Sequence, residues 1–522
     1  MKKSIIVASL FSAVFALTAA AQPRSSRQEL IKPKLVVGIV IDQFRFDYLN
    51  RFHKEYTGGF AKFFENGAVF ANAHHEHFPT VTAIGHSTFL TGATPSVSGI
   101  VNNEWYERST GKRVTSVSDE TVQLLGVPAK AGSSPRRLLA STIGDELKMA
   151  GRRCKVIGVS IKDRAAILPA GHTADGAYWF DGGTGNFVSS TFYFPDLPGW
   201  VKDFNSQHAA DKFANTEWKS LDGSKVFKKM PEPGPALYNG LEAAPFGNEL
   251  IEAFAERALD SEQLGTHPDT DVLTVSFSAN DYVGHALGPD APEVRDISLR
   301  TDLLLKKFID YVDSKVGAGQ VLYVLTADHG VAPLPEVNQQ RHMPGGRLSQ
   351  ADLFKTVQAA LIGKYGDGNW IVGNSGPTMY LNVELIKQKG LTRGEVERTA
   401  ADAVRAMPNI FRVYTREQIV YGQMPEDRFS LRVRNGFYPG RAGDIIPLPD
   451  PYWIYEARGT SHGTPFNYDT HVPVMFMGPN VTPGRYFDAV AVNDIAPTLA
   501  AILEIEIPSG AVGRVLTEML PK

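Results

Sequence analysis

The stretch KLVVGIVID, Lys34 to Asp42, decides the fold of this chain. It is apolar without alternation, which is typical of a strand buried on both faces of a sheet. Similar apolar runs occupy residues 155–161, 271–277, 320–326 and 471–477, and helical patterns lie between them, for example at 138–150, 247–258 and 292–316. Buried strands that alternate with helices predict an α/β fold, in which a mainly parallel central sheet is flanked by helices.

Composition agrees with a large globular protein. The chain has 522 residues, of which 43% are hydrophobic, and this excludes a disordered or low-complexity protein. Its 53 basic and 56 acidic residues give a net charge of −3, which argues against nucleic acid as a partner bound through bulk charge. The one cysteine, Cys154, cannot form an intrachain disulfide.

Two stretches interrupt the pattern of buried strands and helices. Residues from about 180 to 244 are rich in glycine, proline and aromatic side chains, and residues from about 376 to 455 show short β patterns around one helix. Because a core-type strand follows the second stretch, we predict that residues 22–522 form a single discontinuous domain with two inserts. The second insert is expected to form a smaller lobe. A monomer is compatible with this organisation, and the oligomeric state stays open.

The first residues have the layout of a secretory signal peptide. Lys2 and Lys3 precede an apolar stretch, and small residues lead up to Ala21. This pattern predicts a signal peptide at 1–21 and an exported protein, periplasmic or extracellular after cleavage. The apolar stretch is short for a stable membrane anchor, although an uncleaved anchor is the alternative.

Acidic and imidazole side chains follow three of the predicted strands, and one more histidine lies in a later Gly-Thr-Ser-His-Gly loop. Because the carboxyl ends of parallel strands meet at one edge of a sheet, we expect these side chains to lie together. Aspartate and histidine without any thiolate suit a hydrolytic zinc site. An aspartate after a strand is by itself more often a helix cap, but the ordered set favours metal binding. The set consists of Asp42, Asp281, His285, Asp328, His329 and His462.

A candidate nucleophile lies in FPTVTAIGHSTFLTG, residues 78–92. Thr82 is expected near the start of a helix, where unpaired N–H groups favour an anion such as phosphate. A threonine hydroxyl is a poor nucleophile at neutral pH unless a metal or a base activates it. The alternative is that Thr82 only caps the helix.

The ordered set of ligands with Thr82 and Asn103 resembles the alkaline phosphatase superfamily. The stretches FPTVT, LTG and GIVNNE are similar to its phosphodiesterase/nucleotide pyrophosphatase branch, and Lys162-Asp163-Arg164 resembles the PafA-type phosphomonoesterases. The resemblance extends from about residue 35 to residue 503.

This resemblance implies two Zn²⁺ ions per chain, although Mn²⁺ and Co²⁺ accept similar ligands. Asp281, His285 and His462 would hold one ion, and Asp42, Asp328 and His329 would hold the other, with Thr82 facing it. Thr82 would attack phosphorus and form a phosphothreonine. Asn103, Lys162 and Arg164 would bind the remaining phosphoryl oxygens.

The two cationic side chains, Lys162 and Arg164, favour a dianionic substrate. The prediction is therefore a phosphomonoesterase that acts on small-molecule phosphate monoesters. The alternatives are a phosphodiesterase or nucleotide pyrophosphatase on the same scaffold, a non-catalytic phosphate- or metal-binding protein, and a phosphate-transferring mutase. Lys162 and Arg164 have the alternative role of a solvated turn paired with Asp163.

Five further histidines have open roles. His74, His75 and His77 would alternate between opposite faces of an extended segment, so we expect His75 or His77 to pack near the site and the others to be solvated. His86 lies on the same helical face as Thr82, either supporting the site or simply packed. His471 precedes a predicted strand.

Overall fold

The computed structural model describes residues 30–128 and 130–521, so the predicted signal peptide at 1–21 lies outside the described residues. Its centre is an eleven-stranded sheet. From one edge to the other the strands are Gly484–Tyr486, Gly67–Phe70, Val474–Met477, Val321–Thr326, Leu35–Ile41, Asp271–Phe277, Val156–Ser160, Gly176–Asp181, Asn186–Ser190, Ser118–Leu125 and Ala131–Ser133. The strand at the start of the sequence thus lies in the interior of the sheet.

The five neighbouring strands from Val321–Thr326 to Gly176–Asp181 run parallel to one another. Antiparallel pairings flank this centre, and Val474–Met477, predicted from residue 471 onward, is one of the antiparallel strands. Leu35–Ile41 is buried along its whole length, as its unbroken apolar sequence predicts. The predicted α/β fold with a mainly parallel centre is confirmed.

Helices pack against the sheet. The α-helices are Phe46–Arg51, Gly59–Asn66, Thr82–Thr91, Pro95–Ser98, Ile143–Met149, Asp163–Ala170, Gly199–Ser206, Pro235–Glu242, Pro245–Ser261, Ala279–Leu287, Pro292–Val316, Pro335–Gln340, Gln350–Tyr365, Val383–Gln388, Arg393–Arg405, Arg416–Val420, Arg428–Asn435, Asn467–Thr470 and Ile495–Leu503. None of the helices in the described part of the chain is long and apolar enough to cross a membrane.

The helix predicted at 138–150 begins later than expected. Pro135–Arg137 forms a separate 3₁₀ turn, and the α-helix starts at Ile143. Thr142 and Asp145 form a capping box there, because each side chain accepts the backbone N–H of the other. The reciprocal cap fixes the start of this helix more strongly than Ser134 fixes the turn before it.

A smaller antiparallel sheet lies in the region of the second predicted insert. Its four strands are Ile371–Ser375, Thr378–Leu381, Ile445–Pro449 and Ile410–Thr415, in that spatial order. The helices Gln350–Tyr365 and Arg393–Arg405 pack against each other and share an apolar core with this sheet. We call residues 350–455 the small lobe. In the first predicted insert, strands Glu217–Lys219 and Val226–Lys229 form a two-stranded ribbon.

Candidate active site

Three adjacent parallel strands bring the predicted carboxylates to one edge of the central sheet. Asp42 directly follows Leu35–Ile41, and Asp328 lies just beyond Val321–Thr326. Asp281 is in the first turn of the helix that follows Asp271–Phe277. All three side chains are buried.

The first of two ligand groups consists of Asp281, His285 and His462. The Nε2 atoms of the two imidazoles are 3.2 Å apart, and they lie 3.2 Å and 3.9 Å from Oδ1 of Asp281. The opposite ring nitrogens, both Nδ1, are each 2.8 Å from a backbone carbonyl, that of Thr460 for His285 and that of Thr80 for His462. Donating Nδ1–H to a carbonyl leaves each Nε2 lone pair directed at a common point, as metal ligation requires.

The second group consists of Asp42, Asp328 and His329, all fully buried. Nε2 of His329 lies 3.6 Å from Oδ1 of Asp42 and 3.3 Å from Oδ2 of Asp328. These three atoms have no hydrogen-bond partner among the residues that the structure describes. Since burying unpaired polar atoms is costly, their convergence fits a divalent cation.

Within residues 30–128 and 130–521, these two groups are the sets of acidic, histidine or cysteine side chains whose ligand atoms converge closely enough to hold a metal ion. They are the same two triads that the resemblance implies. Their oxygen and nitrogen donors, without a thiolate, fit Zn²⁺.

Burial and mutual repulsion of the carboxylates set the electrostatics of the second group. Burial raises the pKa of Asp42 well above its ordinary value, and the charges of Asp281 and Asp328 raise it further. Burial also raises the pKa of Asp328 to about 6. In the first group, burial lowers the pKa of His462 to about 3, and the neighbouring His285 lowers this pKa further. The site therefore favours added positive charge near its carboxylates and neutral imidazole at His462.

Lys162 forms an ion pair with one carboxylate of each ligand group. Its Nζ lies 2.6 Å from Oδ2 of Asp42 and 2.6 Å from Oδ2 of Asp281. Burial alone would lower the pKa of Lys162, but the two carboxylates outweigh it and raise the pKa. The side chain is only 4% exposed, which excludes the alternative of a solvated turn for Lys162. Arg164 is more open and has Nη1 3.8 Å from Oδ1 of Asp163.

Thr82 is the first residue of its helix, and Val81 is the N-cap residue. The alternative that Thr82 only caps the helix is therefore wrong. Asn103 accepts the Ala83 N–H through Oδ1 at 2.8 Å, which ties Asn103 to the same helix start. The catalytic and phosphate-binding roles of Thr82, Asn103, Lys162 and Arg164 stay predictions.

Gln43 is a site residue that the sequence reasoning missed. Its side-chain amide donates to Oδ1 of Asp281 at 2.6 Å, and its backbone N–H donates to Oδ1 of Asp328 at 3.1 Å. Gln43 has φ of 61°, in the left-handed region. A Cβ on Gly284 would lie 1.9 Å from Oε1 of Gln43, so the glycine between Asp281 and His285 leaves room for this amide.

His86 contacts Asp328 of the second ligand group. Its Nδ1 lies 2.9 Å from the carbonyl of Thr82 and 3.3 Å from Oδ2 of Asp328. Its Nε2 lies 2.8 Å from Oγ of Ser276, on a central strand. Of the two roles left open for His86, the contact with Asp328 favours support of the site.

Among the other histidines, His75 packs beside the second ligand group, since its Nε2 lies 3.0 Å from the carbonyl of Ala327, which precedes Asp328. His75 and His77 are both fully buried, with ring centroids 4.9 Å apart, so the expectation that one of them is solvated is wrong. The alternation of an extended chain places these two rings on one side. His74 stacks on His471, whose ring also stacks on Phe46.

The fold and the two ligand groups define an enzyme of the alkaline phosphatase superfamily. The chain belongs to the family described as type I phosphodiesterase / nucleotide pyrophosphatase, whose sequence profile matches residues 36–472. The chain is 38% identical over 519 residues to alkaline phosphatase PafA of Elizabethkingia meningoseptica, covering 94% of this chain and 95% of that protein. It is 36% identical over 532 residues to alkaline phosphatase PhoV of Synechococcus elongatus, covering 96% and 95% of the two chains. The crystal structure of wild-type PafA superposes with a TM-score of 0.88 at 37% identity, covering 94% of this chain and all of that one. The predicted superfamily and enzyme class are confirmed.

Proposed function

We propose that this chain is an exported phosphomonoesterase that hydrolyses phosphate monoesters through a phosphothreonine at Thr82. The observation that carries this proposal is the pair of ligand groups beside the helix that begins at Thr82. The names of the relatives PafA and PhoV, both alkaline phosphatases, support the same activity. The overall reaction consumes one ester and one water and releases an alcohol and inorganic phosphate.

The proposed cofactors are two Zn²⁺ ions, one in each ligand group. When bound, these ions supply positive charge that polarises the phosphoryl group and offsets the charge that develops during transfer. The protein contributes the rigid placement of their ligands, because His285 and His462 are oriented by backbone carbonyls and Asp281 by the amide of Gln43.

The side chains around Thr82 position the phosphoryl group for in-line attack. Oγ1 of Thr82 loses its proton and forms the new bond to phosphorus as the bond to the substrate alcohol breaks, and the departing oxygen takes up a proton to give the alcohol. Water then cleaves the phosphothreonine, which restores the Thr82 hydroxyl and releases inorganic phosphate. The N-terminus of the helix beginning at Thr82 favours the negative charge of the bound phosphoryl group. Lys162 and Arg164 add two cationic donors and Asn103 adds a neutral amide.

The second candidate is a phosphodiesterase, and the description of the matching family favours it. A diester has one negative charge and a second organic group, whereas a monoester dianion has an extra charge to be met. Two cationic side chains near the ligand groups favour the monoester.

The proposal is tested with p-nitrophenyl phosphate and bis(p-nitrophenyl) phosphate, together with elemental analysis of the purified protein. We expect the monoester to have the higher kcat/KM, and Thr82→Ala to lose turnover while it retains metal. Thr82→Ser is the matched control, since it keeps a hydroxyl at the same place and should retain activity. Faster turnover of the diester would support the second candidate, and undiminished turnover by Thr82→Ala would exclude Thr82 as the nucleophile.

A further inference from the structure

A cleft of about 440 Å³ opens beside the first ligand group, between the central domain and the small lobe. His285 and His462 of the first ligand group line it, together with Asn103. Ser375 to Thr378 and the prolines 447 and 449 of the small lobe line it as well. A substrate whose phosphoryl group lies at the ligand groups would therefore have its remaining atoms in this cleft.

Aromatic side chains line the cleft. Phe78, Trp453 and Tyr455 are among its lining residues, and Phe78 is buried while the other two are half-buried. Aromatic rings of this kind form a favourable surface for another ring, through apolar burial and offset or edge-to-face contacts.

Backbone contacts hold the aromatic wall in place. The strand Trp453–Ile454 pairs in parallel with Gly346–Arg347. A Cβ on Gly346 would lie 2.5 Å from the Trp453 ring, so this ring is packed directly on the glycine backbone. On the other side, the backbone N–H of Phe78 donates to the carbonyl of Arg432 at 3.0 Å. A wall held in this way is ready for a ligand before it binds.

The charges of the cleft disfavour one class of leaving group. Among the described residues that line it there are two acidic side chains, Glu104 and Glu456, and no lysine or arginine. The nearby Arg347 is directed to Glu336, with Nε 2.7 Å from Oε1. Glu104 is paired with Arg113, whose Nη1 lies 2.8 Å from Oε1. A leaving group that is itself phosphorylated would therefore bring its negative charge toward the Glu456 carboxylate.

We propose that this cleft binds the alcohol part of the substrate and selects uncharged aromatic alcohols over small aliphatic and phosphorylated ones. The inference rests on the proposed phosphomonoesterase activity and names its substrate class. Trp453 is a specificity-determining residue, since its ring lies against the alcohol and not against phosphorus. Glu456 acts by charge and disfavours anionic leaving groups such as the phosphate released from pyrophosphate.

The test compares 2-phenylethyl phosphate with ethyl phosphate, which share an aliphatic ester bond and differ in the ring. In the wild-type protein we expect kcat/KM to be about tenfold or more higher for the phenyl ester, in line with the burial of one aromatic ring. Trp453→Ala should lose about tenfold on 2-phenylethyl phosphate and stay within about twofold on ethyl phosphate. Competitive inhibition by inorganic phosphate should be unchanged, because the phosphoryl site is untouched. Tyr421→Ala is the matched control, since Tyr421 is an aromatic of the small lobe, 71% exposed, that does not line the cleft.

A second variant tests the charge without disturbing the packing. Glu456 is exposed, and Glu456→Lys should raise kcat/KM for pyrophosphate several-fold more than it raises kcat/KM for ethyl phosphate, whose uncharged leaving group meets no carboxylate. Equal losses on both esters in Trp453→Ala, an equal preference of the wild type for the two esters, or no response of pyrophosphate turnover to Glu456→Lys would overturn the inference. A loss confined to diesters would overturn it as well, because the cleft would then hold the second organic group. If the wild type hydrolyses none of these monoesters, the proposed function itself fails, which is a different outcome.

Discussion

Two side chains, Gln43 and His86, contact the carboxylates of the ligand groups without belonging to either group. Gln43 contacts a carboxylate of each group, and His86 contacts Asp328. Such supporting contacts orient metal ligands and tune their basicity. Because Gln43 follows Asp42 and His86 lies on the helix that begins at Thr82, these contacts connect that helix to the second ligand group.

The support that His86 gives to the second ligand group can be tested by substitution. His86→Ala removes the contact of Nδ1 with Oδ2 of Asp328 and with the Thr82 carbonyl, and should weaken metal binding by about 10–100-fold. The measurement is the metal content of the protein after dialysis against a graded series of chelator concentrations. His86→Asn is the matched control, because its amide nitrogen takes roughly the place of Nδ1 and should restore part of the affinity. If both variants retain metal as the wild type does, His86 is only a packed side chain.

At the scale of elements, the helix Ile143–Met149 shows how tertiary contacts select between two local signals. Ser134-Pro135 and Thr142 with Asp145 are both plausible helix starts in the sequence. Asp145 also accepts the backbone N–H of Thr173 at 2.8 Å and contacts His172, so its capping box is anchored to another part of the chain. That anchor explains why the helix begins at Ile143.

The Asp145 carboxylate should make this element sensitive to acid. Burial opposes its ionisation, but hydrogen bonds from His172, Thr142 and Thr173 outweigh burial and lower its pKa to about 2. A folded-state pKa below the unfolded value stabilises the protein above the unfolded pKa, and this stabilisation is lost as the pH falls toward the folded pKa. At about 1.4 kcal/mol per pKa unit, roughly half of a contribution of about 2 kcal/mol should be lost by about pH 3.

Asp145→Asn tests this titration, since the amide keeps the shape and an acceptor but does not ionise. We expect the variant to be less stable than the wild type near pH 6, and the difference in free energy of unfolding to shrink by about 1 kcal/mol at about pH 3. Urea denaturation at the two pH values measures it. A difference that stays constant between the two pH values would contradict the assigned pKa.

The sheet could be predicted from local sequence, whereas the division of the ligands into two triads came from the resemblance to the superfamily. An apolar run such as 34–41 predicts a buried strand, and a polar residue at its end is placed at the sheet edge by the parallel order alone. Gln43 could not be found in this way, because its role depends on a left-handed backbone conformation and on the space beside Gly284. The burial of His77 depends in the same way on what packs around it.

At the scale of the whole molecule, the site depends on segments that are far apart in the chain. Its ligands extend from Asp42 to His462, and the small lobe lies in the sequence between Asp328 and His462. Residues of the lobe line the cleft, while the ligands come from the ends of central strands, from the helix Ala279–Leu287 and from the loop that contains His462. Under the proposed function, the ligand groups would act on the phosphoryl group, and the cleft would recognise the alcohol.

Removal of metal should expose how much Lys162 stabilises the edge of the central sheet. Lys162 follows Val156–Ser160 and its Nζ pairs with Asp42 and Asp281, which follow two other strands. A bound divalent cation in each group supplies positive charge to the same carboxylates. Loss of Lys162 should therefore matter most when metal is absent, since it leaves two buried carboxylates without their cation, at a cost of about 3–5 kcal/mol.

We expect a chelator to lower the thermal unfolding midpoint of the wild type, because metal binding to the folded state stabilises it. The decrease should be clearly larger in Lys162→Ala. After Zn²⁺ is restored, the unfolding midpoints of the variant and the wild type should again be similar. Arg164→Ala is the control, because Arg164 lies in the same segment but is partly exposed and has its guanidinium 3.8 Å from Asp163, outside both groups. Its response to the chelator should match that of the wild type. An equal decrease in all three proteins would show that Lys162 does not stabilise the metal-free sheet edge, and that the packing of the strands alone keeps the two ligand groups together.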